Sequence, residues 1–300
     1  MGQGRWDSST YRTYATSTNL NNLSVGETFL SRAVKENLNP GKMGNLQMRE
    51  SRDSEANPNS VPIIFGLDVT GSMGKYAAQI AKENLPELME TLMKELDPFA
   101  DPQLMFMGVG DVHCDSAPLQ VSQFEADLRI LETLRDIWLE GGGGGNSFES
   151  YDLPWYFAAY RTSTDSFEKR GKKGYLFTFG DEMPPQKATT AAQLKKVFGE
   201  GEYPELTTAE LLAKAQEKYQ VFHVVIEQGS HCQMESSKGK VRSAWTELLG
   251  PNVLFLKDSK DLTSLILATL KIAEGQVMAD VIEASEKKEA LEYAFYNTLV

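Results

Sequence analysis

The chain has 300 residues, 41% of them hydrophobic and 24% charged, which is an ordinary globular balance and enough for one large domain or two small ones. Its formal net charge of −12 excludes non-specific nucleic-acid binding through a basic surface. Two cysteines, Cys114 and Cys232, are too few for a disulfide framework, and no apolar run approaches the length of a membrane span, so the expected setting is the cytoplasm, with neither membrane nor nucleic acid as partner.

Residues 1–60 form a polar N-terminal extension rich in Ser, Thr and Asn. Spacing predicts one helix in it, over 27–37, where Phe29, Leu30, Ala33 and Val34 share a face before Pro40. Trp6, Tyr11 and Tyr14 are unusual in a free tail and favour a strap packed on the main domain over a flexible leader. Residues 61–67 are apolar and partly β-branched, the pattern of a strand buried on both faces. Asp68 closes that strand, Thr70 and Ser72 follow, and a long helix is predicted over 76–96.

A second buried strand covers 103–109, and a short one lies near 119–123. Helical spacing covers 124–139, five glycines occupy 141–145, and another helix covers 150–161. The strand 174–179 ends in Gly180, Asp181 and Glu182, where Pro184 and Pro185 prevent an immediate helix. Helices follow over 190–198 and 207–219, the second capped by Thr207 or Thr208 with Glu210 in reach. The chain then gives a strand at 221–226, a helix at 241–249, a strand at 253–256 and a helix at 261–273 capped by Ser259 or Asp258. A last helix is predicted over 276–299. Strands alternating with helices mean βαβ units. The expected fold class is α/β, a doubly wound, mainly parallel six-stranded sheet flanked by helices and Rossmann-like in layout. One domain over 61–275 holds every one of these strands, leaving the extension 1–60 and a C-terminal helix in 276–300.

The stretch 61–75 carries the chemistry. Asp68, Thr70 and Ser72 present one carboxylate and two hydroxyls at the carboxyl end of a strand, where open α/β sheets bind ligands. Hard oxygen donors of low total charge suit Mg²⁺ or Mn²⁺. An ion held largely by hydroxyls stays electrophilic and takes an outside carboxylate. A Ser/Thr cap on a strand-to-helix turn would use the same residue types.

With these residues in hand, the chain resembles the von Willebrand factor A (vWA) domain family. That family carries a metal-ion-dependent adhesion site built from Asp-x-Ser-x-Ser after the first strand, a loop hydroxyl before a later helix, and an acidic residue after the fourth strand. Asp68, Thr70 and Ser72 match the first element, with Thr for the first Ser, and Asp181 matches the last. The glycine loop sits where the middle element belongs. Many members place Thr directly after the glycines; here Asn146 and Ser147 stand there, and either of them, or a water, would take the role. Glu149 is near enough to act from outside the ligand set. The resemblance implies a Mg²⁺ or Mn²⁺ site and non-catalytic recognition of a protein partner that supplies a carboxylate to the ion, within an intracellular assembly. It also allows a separate AAA+ ATPase as partner, since this chain has no ATPase motif of its own. Asp68 and Asp181 should then face each other across one crevice.

Two other readings use the same residues. Asp68-Val-Thr-Gly-Ser also looks like the Asp-Lys-Thr-Gly-Thr motif of haloacid-dehalogenase-type phosphotransferases, with Asp68 as nucleophile, but Thr70 stands where the general acid belongs. A structural scaffold with a degenerate metal site is the remaining alternative. The five glycines lack the Gly-Lys-Ser/Thr of a phosphate loop, and the pairs His113-Cys114 and His231-Cys232 lack the spacing of a zinc site. His223 falls inside a strand, as a core histidine would.

Overall fold

Every residue of Val61–Asp68 is buried, as is every residue of Pro102–Val109 and Gly174–Gly180. Runs with no exposed side mark central strands of a parallel sheet. The computed structural model describes residues 4–42, 48–95, 101–141 and 148–296, with Ser72 and Glu95 described by their backbone alone. In chain order the strands are β1 (Arg49–Ser51), β2 (Val61–Asp68), β3 (Pro102–Val109), β4 (Leu119–Val121), β5 (Thr162–Thr164), β6 (Gly174–Gly180), β7 (Tyr219–Ile226) and β8 (Val253–Leu256). The main sheet has the order β4-β3-β2-β6-β7-β8, parallel throughout except for β4, which runs antiparallel to β3. β1 and β5 form a small parallel pair, unforeseen in the sequence, that ties the segment before β2 to the end of the helix Asp152–Tyr160.

Alternation along the strands sorts side chains into two cores. Ile63, Phe65 and Leu67 face a layer that includes the helices Leu85–Glu95 and Leu262–Ala273. Ile64 faces the opposite layer, with Trp155 of Asp152–Tyr160, Leu211 of Thr208–Lys218 and Trp245 of Glu235–Leu249. This is the doubly wound α/β arrangement expected from the sequence. Among the described residues no helix is long and apolar enough to cross a membrane.

The N-terminal extension packs on the first of these layers. Asp7 caps the helix Ser8–Ser17, and Trp6, Tyr11, Ala15, Leu20 and Phe29 are buried with the β2 side chains. A break in the long helix makes the dock. Pro86 has no N–H to give to the carbonyl of Lys82 one turn earlier. The helix widens to a π turn over Ile80–Asn84, and the Tyr11 hydroxyl donates to that Lys82 carbonyl at 2.9 Å. The Lys82 ammonium in turn donates to the Leu23 carbonyl. On the other side, buried Arg135 donates from Nε to the Thr28 carbonyl at 2.9 Å and from Nη1 to the Tyr14 hydroxyl at 2.5 Å.

Several predicted helices are shorter than their spacing suggests, each for a visible reason. The helix expected over 27–37 is a single turn, Val25–Thr28, because Leu30 N–H donates to the Arg135 carbonyl and the Ser31 hydroxyl to the Asp136 carbonyl. Phe29 is buried while Leu30 is 56% exposed, so the two do not share a face. The helix expected over 124–139 covers only Arg129–Arg135. Glu125 exchanges both backbone hydrogen bonds with Leu104, and the Gln120 amide brackets the backbone of Trp138. The single helix expected over 276–299 is two, Met278–Glu283 and Lys288–Ala294. Conversely, the helix expected over 241–249 begins earlier and runs Glu235–Leu249.

The extension is therefore part of the core. Leu20→Ala is expected to lower the free energy of global unfolding by about 2–5 kcal/mol, the usual result of emptying a fully buried leucine site. Urea unfolding followed by tryptophan fluorescence checks this. An unchanged midpoint would mean that the arm melts separately from the sheet.

Candidate functional site

The carboxyl edge of β2 and β6 is where the chain concentrates its acids. The register pairs Leu67 with Phe179, so Asp68 lies level with Gly180 and Asp181 follows one residue later. Asp68 is 2% exposed and lies on the face of the sheet covered by Asp152–Tyr160. Its Oδ1 accepts the backbone N–H of Thr70 at 2.9 Å and the Thr70 hydroxyl at 2.6 Å, while its Oδ2 accepts the Tyr151 hydroxyl at 3.2 Å. Gly180 makes the last contact feasible, because a Cβ there would stand 1.7 Å from the Tyr151 oxygen.

Asp181 is also 2% exposed, and its Oδ2 accepts the backbone N–H of His231 at 2.8 Å. Gly229 admits it, since a Cβ at that position would lie 2.3 Å from the carboxylate. Glu182 follows directly, with Oε1 at 3.1 Å from His231 Nδ1. Glu149, 3% exposed, joins the same group from the segment before the helix. Glu149 Oε2 and Glu182 Oε2 are buried without a hydrogen-bond partner among the described residues. The loop after β3 closes the rim: Asp115 Oδ2 accepts the Asp111 N–H at 2.7 Å, and Val112 N–H donates to the Ser150 hydroxyl at 3.0 Å.

Crowding of buried carboxylates has an electrostatic signature. Burial raises Glu182 to about 8, helped by the charges of Asp68, Asp181, Asp111 and Asp115. Burial also raises Asp68, against the lowering effect of the Thr70 hydrogen bonds and with reinforcement from Asp181. Glu149 is raised by burial and then by Asp68, Glu182, Asp115 and Asp111. The charges among the largest causes of these shifts are all those of neighbouring acids.

Of the residues singled out in the sequence, Asp68, Thr70 and Asp181 come together. Ser72 lies in the turn Gly71–Met73 that follows, where the backbone alone is described. Asn146 and Ser147 lie outside the described residues. Sequence reasoning missed Tyr151, Glu182 and His231 as parts of the site. Only Glu182 had a usable signal, its position next to Asp181 at a strand end. His223 is a core residue, 0% exposed, stacked on Trp245 with Nδ1 at 2.8 Å from the Thr178 hydroxyl. Among the described residues no group of three or more His, Cys, Asp or Glu side chains is arranged to hold a metal ion by itself. A cation at this edge would therefore need hydroxyls and water among its ligands. The donor chemistry fits a hard ion of that kind, with the Thr70 hydroxyl on Asp68 and, among the described residues, unpartnered carboxylate oxygens at Glu149 and Glu182.

No family model matches the sequence, and no curated protein matches it. Among solved structures, the pilus adhesin SpaC from Lactobacillus rhamnosus GG in its open conformation superposes with a TM-score of 0.47 at 11% identity, over 78% of this chain and 31% of that one. A second crystal structure of the same adhesin gives a TM-score of 0.46 at 12% identity, over 78% and 32% of the two chains. The present chain thus spans about a third of the length of those adhesins.

The raised carboxyls fix a pH dependence. Their folded values lie above the unfolded value of about 4, so the stability they contribute is complete below that pH and is lost as pH rises through the folded values. In divalent-free buffer the unfolding midpoint is expected to fall between about pH 5 and about pH 9, and Glu149→Gln and Glu182→Gln should each flatten the fall. A midpoint that holds or climbs across that range would contradict the cluster's electrostatics.

Proposed function

We propose that the chain is a vWA-type module that recognises a protein partner through Mg²⁺ or Mn²⁺ held at the carboxyl edge of β2 and β6. The observation that carries this reading is the burial of four acids, Asp68, Asp181, Glu182 and Glu149, at one edge of the sheet, where the basic side chain recorded against them among the described residues is a single histidine, His231, beside Asp181 and Glu182. Like charges brought together out of water repel, and a divalent ion removes that cost. The Thr70 hydroxyl donates a hydrogen bond to Asp68 and keeps its lone pairs for a cation. Ser72, Asn146 and Ser147 join the ligand set on the sequence pattern alone. The bound ion would supply a Lewis-acidic position for a partner's Asp or Glu.

The phosphotransferase reading has less support. Both oxygens of Asp68 are engaged, by Thr70 and by Tyr151, and burial favours its protonated form. A nucleophile needs the opposite conditions.

Affinity capture on the immobilised full chain, compared in Mg²⁺ and in EDTA, tests the proposal. Partners retained in Mg²⁺ are expected to be lost in EDTA and with Asp68→Ala or Thr70→Ala, while circular dichroism of both variants stays native. Any separate AAA+ ATPase among the partners would appear in the same comparison. Retention of the same partners in EDTA would sink the metal bridge. Turnover of para-nitrophenyl phosphate that Asp68→Asn abolishes would move the assignment to the phosphotransferase.

A further inference from the structure

A cleft of about 680 Å³ opens beside the carboxylate cluster, between the loop after β3, the segment 148–152 and the segment 185–193, which runs into the helix Ala191–Phe198. That size falls within the roughly 300–1,000 Å³ of sites that enclose a ligand. Its walls include Val112, Phe148 and Pro185, and its lining carries three buried acids, Asp111, Glu149 and Asp152. Asp152 is 0% exposed and held by Thr189, whose N–H donates to Oδ2 at 2.6 Å, yet its Oδ1 has no hydrogen-bond partner among the described residues. Glu149, 3% exposed, likewise has Oε2 unpartnered among the described residues. The basic residues of the lining, His113 and Lys187, are both exposed. Buried acceptors without donors are costly, and two of them lining one cleft call for a donor from outside.

We infer that this cleft takes an arginine side chain of a partner polypeptide, its alkyl stem against Val112, Phe148 and Pro185 and its guanidinium donating to Glu149 Oε2 and Asp152 Oδ1. A guanidinium offers five N–H donors in a planar fork and so serves two carboxylates at once, which a point-like ammonium does less well. The long side chain matches apolar walls with an acidic floor. The net charge of −12 draws basic segments toward the molecule. The inference shares with the proposal above its recognition role and the Glu149 carboxylate but not its metal, and a test run without metal lets the two fail separately.

The test is a titration of the isotope-labelled full chain in EDTA with N-acetyl-arginine N-methylamide, read by amide chemical shifts. Saturable shifts are expected at Val112, Ser150 and Thr189. The neutral citrulline analogue, and the Glu149→Gln/Asp152→Asn double variant, should each bind at least about tenfold more weakly. If the double variant does not fold, Asp152→Asn alone serves, because its amide oxygen still accepts the Thr189 N–H. Equal binding of citrulline, undiminished binding by the variants, or no saturable shift would overturn the assignment. Free arginine binding more tightly than the blocked form would assign the cleft to the amino acid and overturn the polypeptide. Displacement of the blocked arginine by Mg²⁺, one for one, would merge the cleft with the metal site and overturn it as a separate pocket.

Discussion

Repulsion among buried carboxylates at one edge of the sheet is the constraint around which the molecule is built. Asp68 and Asp181 leave adjacent parallel strands at nearly the same level, and Glu149 and Glu182 are added beside them. Such a cluster is tolerable only if the backbone holds it rigidly and something neutralises it. The first requirement is met by close backbone approaches at Gly180 and Gly229, by the Tyr151 hydroxyl on Asp68, and by the Trp245 indole, which donates to the Glu182 carbonyl at 2.8 Å. The second falls to protonation, toward which burial shifts these carboxyls, and in the proposed working state to a divalent cation.

The surroundings explain how such a site is kept stiff. The N-terminal extension is held on the layer of helices opposite the helix that carries Tyr151. It is anchored at the Pro86 break and by Arg135. The pair β1–β5 and the salt bridges of Arg52 to Asp165 and Glu168 tie the same segment to the other side of the domain. The chain before β2 thus braces both layers, and the loops at the carboxyl edge rise from a base with little freedom.

Much of this was legible in the sequence, and the exceptions have physical reasons. Strands at 61–67, 103–109 and 174–179 announce themselves because burial on both faces demands unbroken apolar runs. Asp68 follows from the end of a strand in a parallel sheet and Asp181 from the family resemblance, and a cap at Thr207 or Thr208 with Glu210 in reach was readable, Thr207 being the residue that forms the box. Helix ends set by tertiary hydrogen bonds were not readable, since Arg135, Leu104 and Gln120 act from far along the chain. Pro86 was a visible signal that helical periodicity overrode. Tyr151 was out of reach because its role depends on the missing side chain of Gly180, a relation that exists only after β6 lies beside β2.

The central claim is most directly tested by calorimetric titration of the EDTA-stripped full chain with Mg²⁺ and Mn²⁺ near pH 7, in buffers of different ionisation enthalpy and beside Asp68→Ala. One saturable site, lost in the variant and accompanied by proton release as the raised carboxyls ionise, is the predicted result. Absence of binding by a folded wild-type chain, or binding that Asp68→Ala leaves intact, would contradict it.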